Sequence, residues 1–153
     1  MRINFKIFIA VTAVSAMSLA QASAHMGATG VVKERMDLMM SLGKTVKSLN
    51  SIVRGEIDFD SGNVKRAASH LLVQSKKMQT LFPEGSMQPP SGAKPEIWDN
   101  MSEFEALAEA LGSEAEKLAE IGANGDREAL AQQFTRIGAA CSGCHKPFRS
   151  KMR

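Results

Sequence analysis

With 153 residues and a formal net charge of +3, the chain is sized for one domain and carries no concentrated basic patch. That balance gives no case for nucleic-acid binding. The two cysteines are the only ones in the chain, so a four-cysteine zinc site is excluded.

The first stretch stands apart from the rest. Arg2 and Lys6 precede a nearly unbroken apolar run over residues 7–19, and Ala22-Ser23-Ala24 has the A-x-A form of a cleavage site. This pattern predicts a secretory signal peptide over 1–24 and a mature domain over 25–153. The apolar run is too short for a membrane span, so no stable membrane insertion is expected after cleavage. Loss of Arg2 and Lys6 takes the formal charge from +3 to +1.

Four helical segments follow, with no convincing strand. From about Thr29 to Arg54, apolar residues Val32, Met39, Leu42, Val46, Leu49 and Val53 keep the spacing of a bundle seam. Arg35 falls in the same register and is charged. The second segment, about Ser61 to Phe82, aligns Val64, Ala68, Leu71, Ser75, Met78 and Phe82, with Asp60 or Ser61 as N-cap. Pro83-Glu84-Gly85 ends it, and the prolines and glycines of 83–94 predict a loop.

Pro95 suits the first turn of a third helix, where a missing N–H costs nothing. Ile97, Met101, Phe104, Ala108, Leu111, Ala115 and Leu118 carry that helix to about Ile121. Its glutamates (Glu103, Glu105, Glu109, Glu114, Glu116, Glu120) read as a solvated face or, alternatively, a docking surface. Gly122 to Gly125 is the expected turn, and Asp126 is a candidate cap for a last helix. There Leu130, Phe134, Ile137, Cys141, Cys144 and Phe148 share a stripe. Short links favour antiparallel neighbours, so the expected fold is all-α, an up-down-up-down four-helix bundle.

Cys141-Ser142-Gly143-Cys144-His145 carries the chemistry. C-x-x-C-H reads as a c-type haem attachment site, with two thioethers to the porphyrin edge and the adjacent imidazole on the iron. A disulfide, a redox dithiol and half of a zinc site are the competing readings. Export supports haem, because a close thiol pair in an oxidising compartment otherwise tends to cross-link. Gly138, Ala139 and Ala140 leave room beside this helix for a porphyrin or for close helix packing. Arg35 in the seam needs a partner for a buried charge, and a haem propionate supplies one. The alternative is that Arg35 reaches solvent along its stem. Arg149, one turn after His145, lies near the haem edge or in a solvated tail.

Together the segments resemble the class II cytochromes c, the cytochrome c′ and cytochrome c-556 family. The resemblance covers essentially the whole mature chain. It rests on Arg35-x-x-x-Met39-x-x-x-Gly43, Leu81-Phe82-Pro83, Pro95-Glu96-Ile97-Trp98 and Cys141-x-x-Cys144-His145-x-x-Phe148-Arg149. It implies one covalent haem c per chain with His145 as axial ligand. Met39 stands where low-spin members resembling cytochrome c-556 place a methionine ligand and high-spin cytochromes c′ place a non-coordinating side chain; the alternative is a core methionine that fills a gap. His/Met ligation suits reversible electron transfer. The implied role is therefore a periplasmic electron carrier serving redox partner proteins, and not an enzyme. The alternative is a five-coordinate haem that binds nitric oxide or carbon monoxide. The resemblance also leaves room for a homodimer.

Overall fold

Each periodic stretch forms a helix because its apolar stripe can leave water only against another stripe. The computed structural model describes residues 27–150. It contains α1 (Gly30–Val53), α2 (Ser61–Gln79), α3 (Glu96–Asp99), α4 (Met101–Asn124) and α5 (Arg127–Phe148), with no strand among the described residues. The signal peptide expected over 1–24 and its cleavage site lie outside the described residues. None of these helices is long and apolar enough to cross a membrane.

The four long helices form an antiparallel bundle. α2 packs most extensively on α4 and α4 on α5, while α1 leans on α2 and meets α5 only lightly. Val64, Ala68, Leu71, Phe104, Ala108, Leu118, Leu130 and Ile137 are almost completely buried. Each large aliphatic side chain removed from water contributes roughly 1.5–3 kcal/mol. Gly122 lets α2 and α4 approach closely, since a Cβ there would stand 2.9 Å from Val64 Cγ1.

The caps agree with the sequence at two points. The Asp60 carboxylate accepts from the Asn63 N–H at 2.6 Å, and Asp126 accepts from the Ala129 N–H at 2.9 Å. Each satisfies one of the donors orphaned at a helix start. Gly125, at φ 74°, closes α4 in the left-handed conformation that favours glycine.

Three expectations need correction. The helix expected from Pro95 is broken at Asn100 (φ −132°, ψ 46°), leaving α3 as a single turn before α4. α4 runs on through Asn124, so Gly122 is a buried helical residue rather than the start of a turn. In α1 Leu49 is buried as expected, but Leu38 and Ile52 are buried in place of Met39 and Val53, and Met39, Val46 and Val53 are half-buried. A seam of alternating three- and four-residue steps admits either neighbour at each step, and the larger aliphatics at 38 and 52 take the interior.

Candidate haem site

α5 positions the motif. Leu130, Ile137 and Phe148 anchor one face of the helix in the core. This leaves Cys141 and Cys144 half-buried, nearly one turn apart. His145 follows on the outer side of α5. Pro147 lies inside the last turn and has no N–H to donate, which suits a helix about to end.

Burial pushes both thiols up, Cys144 to about 11 with the neighbouring Cys141 adding to the rise. A redox dithiol or a zinc site needs thiolate, and this environment disfavours it. Desolvation, and then the charge of Arg149, hold the His145 pKa below its ordinary value. An imidazole must be unprotonated to ligate a metal, so this shift fits an iron ligand. α1 and α5 meet only lightly, and Gly138 is exposed on α5 with no side chain close to it.

Arg35 is the second feature. It is only 5% exposed, and no carboxylate pairs with it among the described residues. Its Nη2 donates to the Ser86 carbonyl at 2.7 Å and to Ser86 Oγ at 2.6 Å, and Nη1 donates to Ser91 Oγ at 3.3 Å. The guanidinium lies 4.5 Å from the Phe82 ring centroid and 6.0 Å from that of Trp98. Its Nε has no partner. Burial lowers the Arg35 pKa, yet an arginine stays protonated. A buried cation held only by neutral acceptors, with an orphaned donor, fits an acidic group such as a haem propionate.

Aromatic rings join this cation to α5. Phe82 packs on Phe104 with centroids 4.6 Å apart, and Phe104 packs edge-on to Phe148 at 5.7 Å. Trp98 fixes the turn after α2 by donating to the carbonyls of Phe82 and Pro83, both at 3.1 Å. These contacts explain why Leu81-Phe82-Pro83 and Pro95-Glu96-Ile97-Trp98 occur in one chain. Arg35 and the motif are thereby held at the same end of the bundle.

Met39 lies one turn beyond Arg35, half-buried and packed on the same core as Cys141 and Cys144. Met40 is 43% exposed. Arg149 lines an open groove of about 600 Å³ with Lys94, Ser142, His145 and Lys146. His70 meets Thr45 Oγ1 at 2.9 Å through Nδ1, which occupies it in linking α2 to α1. His25 lies outside the described residues.

The family model described as Cytochrome C' matches residues 30–149. The chain belongs to the cytochrome c′ family. It is 34% identical over 122 residues to cytochrome c-556 of Agrobacterium tumefaciens (strain B2A), covering 80% of this chain and 98% of that one. It also resembles the solved cytochrome c′ from Rhodopseudomonas palustris. That match has a TM-score of 0.73 and 26% identity, covering 82% of this chain and 100% of that chain. A nitric oxide complex of a mutant cytochrome c prime from Alcaligenes xylosoxidans matches with TM-score 0.72 and 26% identity, over 79% and 94% of the two chains.

The protein is thus an electron-carrier haem protein of the cytochrome c′/c-556 kind, with haem c covalently bound. Its two cysteines stand in the C-x-x-C-H arrangement that such attachment uses. Sequence reasoning missed Ser86 and Ser91, which reach Arg35 across more than fifty residues of chain. It also missed Gln133, which is 2% exposed and donates to the Glu114 carbonyl at 2.8 Å. Gln133 lies three residues after Leu130 and four before Ile137, so helical spacing could have revealed it.

Proposed function

We propose that this family member is a periplasmic one-electron carrier with six-coordinate, low-spin haem. Cys141 and Cys144 would hold the group as thioethers, His145 and Met39 would ligate its iron, and Arg35 would pair with a propionate. The haem supplies a ferric/ferrous couple, and His/Met ligation raises its potential toward the range useful for carriers. The chain's own residues anchor the group, keep the imidazole neutral and shield the cation that faces it. Residues 1–24 direct export, 25–153 form the haem domain, and redox proteins of the same compartment are its partners. Homodimers are compatible with this role.

The half-burial of Met39 carries the reading. Met39 is packed at the edge of the same core cluster as Cys141 and Cys144, and its soft thioether suits iron. Resemblance to a cytochrome c-556 supports the same choice.

The test is Met39→Ala in holoprotein matured in a host competent for cytochrome c assembly. The expected result is a change from low-spin to high-spin ferric haem with an opened coordination position. An unchanged spectrum refutes Met39 as ligand. A second reading, a five-coordinate haem binding nitric oxide or carbon monoxide, draws support from the relative solved with nitric oxide. Rapid carbon monoxide uptake by the reduced wild-type protein is its expected signature.

A further inference from the structure

The loop over 83–94 ties two distant parts of the site together. At one end Ser86 and Ser91 supply every hydrogen bond that the Arg35 guanidinium makes among the described residues. At the other end the loop is clipped to the last turn of α5. The Lys94 N–H donates to the Phe148 carbonyl at 3.0 Å, and the Ser150 N–H donates to the Gly92 carbonyl at 2.9 Å. Lys94 Nζ adds a longer bond to the Lys146 carbonyl at 3.4 Å. Ser86 is braced in turn, since its Oγ donates to the Pro83 carbonyl at 2.6 Å.

This arrangement has a consequence for charge. The acceptors around Arg35 are two hydroxyls and a carbonyl, so they fix the guanidinium without neutralising it. A carboxylate in their place would cancel the charge before any acidic group arrived. Neutral acceptors also lower the cost of holding a cation out of water while leaving the Nε–H unpartnered. Because the same loop grips α5, the position of the charge is set relative to the helix that bears Cys141, Cys144 and His145.

We propose that Ser86 and Ser91 are positioning residues, holding the Arg35 guanidinium as an uncompensated charge aimed at a haem propionate and so helping set the reduction potential. This rests on the assignment of Arg35 above and is independent of Met39 ligation. A positive charge held near the haem favours the reduced, less positive iron. Releasing the guanidinium to solvent weakens that effect through screening.

The experiment compares wild-type holoprotein with Ser86→Ala/Ser91→Ala, Ser86→Thr/Ser91→Thr and Arg35→Gln. It uses the propionate bending mode in resonance Raman spectra and the midpoint potential. Arg35→Gln is expected to shift the mode and lower the potential. The double alanine variant is expected to shift both in the same direction by roughly half as much, because the Ser86 carbonyl still accepts from Nη2. The threonine pair keeps both hydroxyls and is expected to restore wild-type values.

A double alanine variant with wild-type mode and potential overturns the proposal, as does an Arg35→Gln variant that moves neither. Should the double variant fail to assemble, Ser91→Ala alone must shift the mode in the Arg35→Gln direction, and no shift overturns the proposal. Spin-state bands in the same spectra report on Met39 separately, so failure of that ligation is distinguishable from failure here.

Discussion

Phe104→Ala tests whether the aromatic rings join the cation to the motif helix. Phe104 is 2% exposed and touches Phe82 on one side and Phe148 on the other. Truncating a buried phenylalanine costs ~3–5 kcal/mol, combining lost transfer energy with the cavity left behind. Two edge-on aromatic contacts, worth ~0.5–1.5 kcal/mol each beyond area burial, place this site toward the upper part of that range. With a urea slope of about 2 kcal/mol/M, the unfolding midpoint should fall by roughly 2 M. The assay is equilibrium urea unfolding of the holoprotein, followed by far-ultraviolet circular dichroism and by haem absorbance. Phe104→Leu keeps much of the volume and should lose clearly less. A midpoint within about 0.5 M of wild type for the alanine variant would refute the reasoning, since a ring that holds the bundle end together cannot be removed at so small a cost.

Further outcomes follow from other contacts. Gly122→Ala should destabilise by about 1 kcal/mol in urea unfolding, because overpacking against the rigid, fully buried Val64 exceeds the gain in helix propensity. Glu114 is held below its ordinary pKa first by the Lys117 hydrogen bond and then by that from Gln133. A depressed carboxylate stabilises the fold above its unfolded pKa of about 4.3 and loses that contribution as pH falls through the folded value. The stability gap between wild type and Glu114→Gln, followed by unfolding from pH 6 downward, should therefore close in acid; a gap that persists or widens contradicts this. Met39→Ala should leave covalent haem content unchanged in mass spectrometry while altering the spin state, which separates attachment from ligation.

Much of the bundle was legible because its signals are local. The stripes of α2 and α4 lie within single helices, and Val64 to Met78 and Phe104 to Leu118 are buried as their spacing implies. The caps Asp60 and Asp126 act over three residues, so they too could be read directly. α1 was harder to place, since Leu38 and Met39, or Ile52 and Val53, serve equally well in a seam until the partner helix chooses. The break at Asn100 was hidden by an unbroken apolar register.

The site divides in the same way. Cys141, Cys144 and His145 are adjacent, and their chemistry is carried by spacing alone. The burial of Arg35 could be anticipated from register, but its partners could not. Ser86 and Ser91 lie in an aperiodic loop and reach α1 only after α2 has turned the chain back. Likewise, nothing local announces that Lys94 and Gly92 will bond to the end of α5.

The most direct measurement is the absorption spectrum of ferric and ferrous wild-type holoprotein, with carbon monoxide added to the reduced form. Closure of the iron by Met39 predicts low-spin ferric haem, a weak far-red sulfur-to-iron band and slow carbon monoxide uptake. A high-spin ferric spectrum with immediate carbon monoxide binding would contradict it.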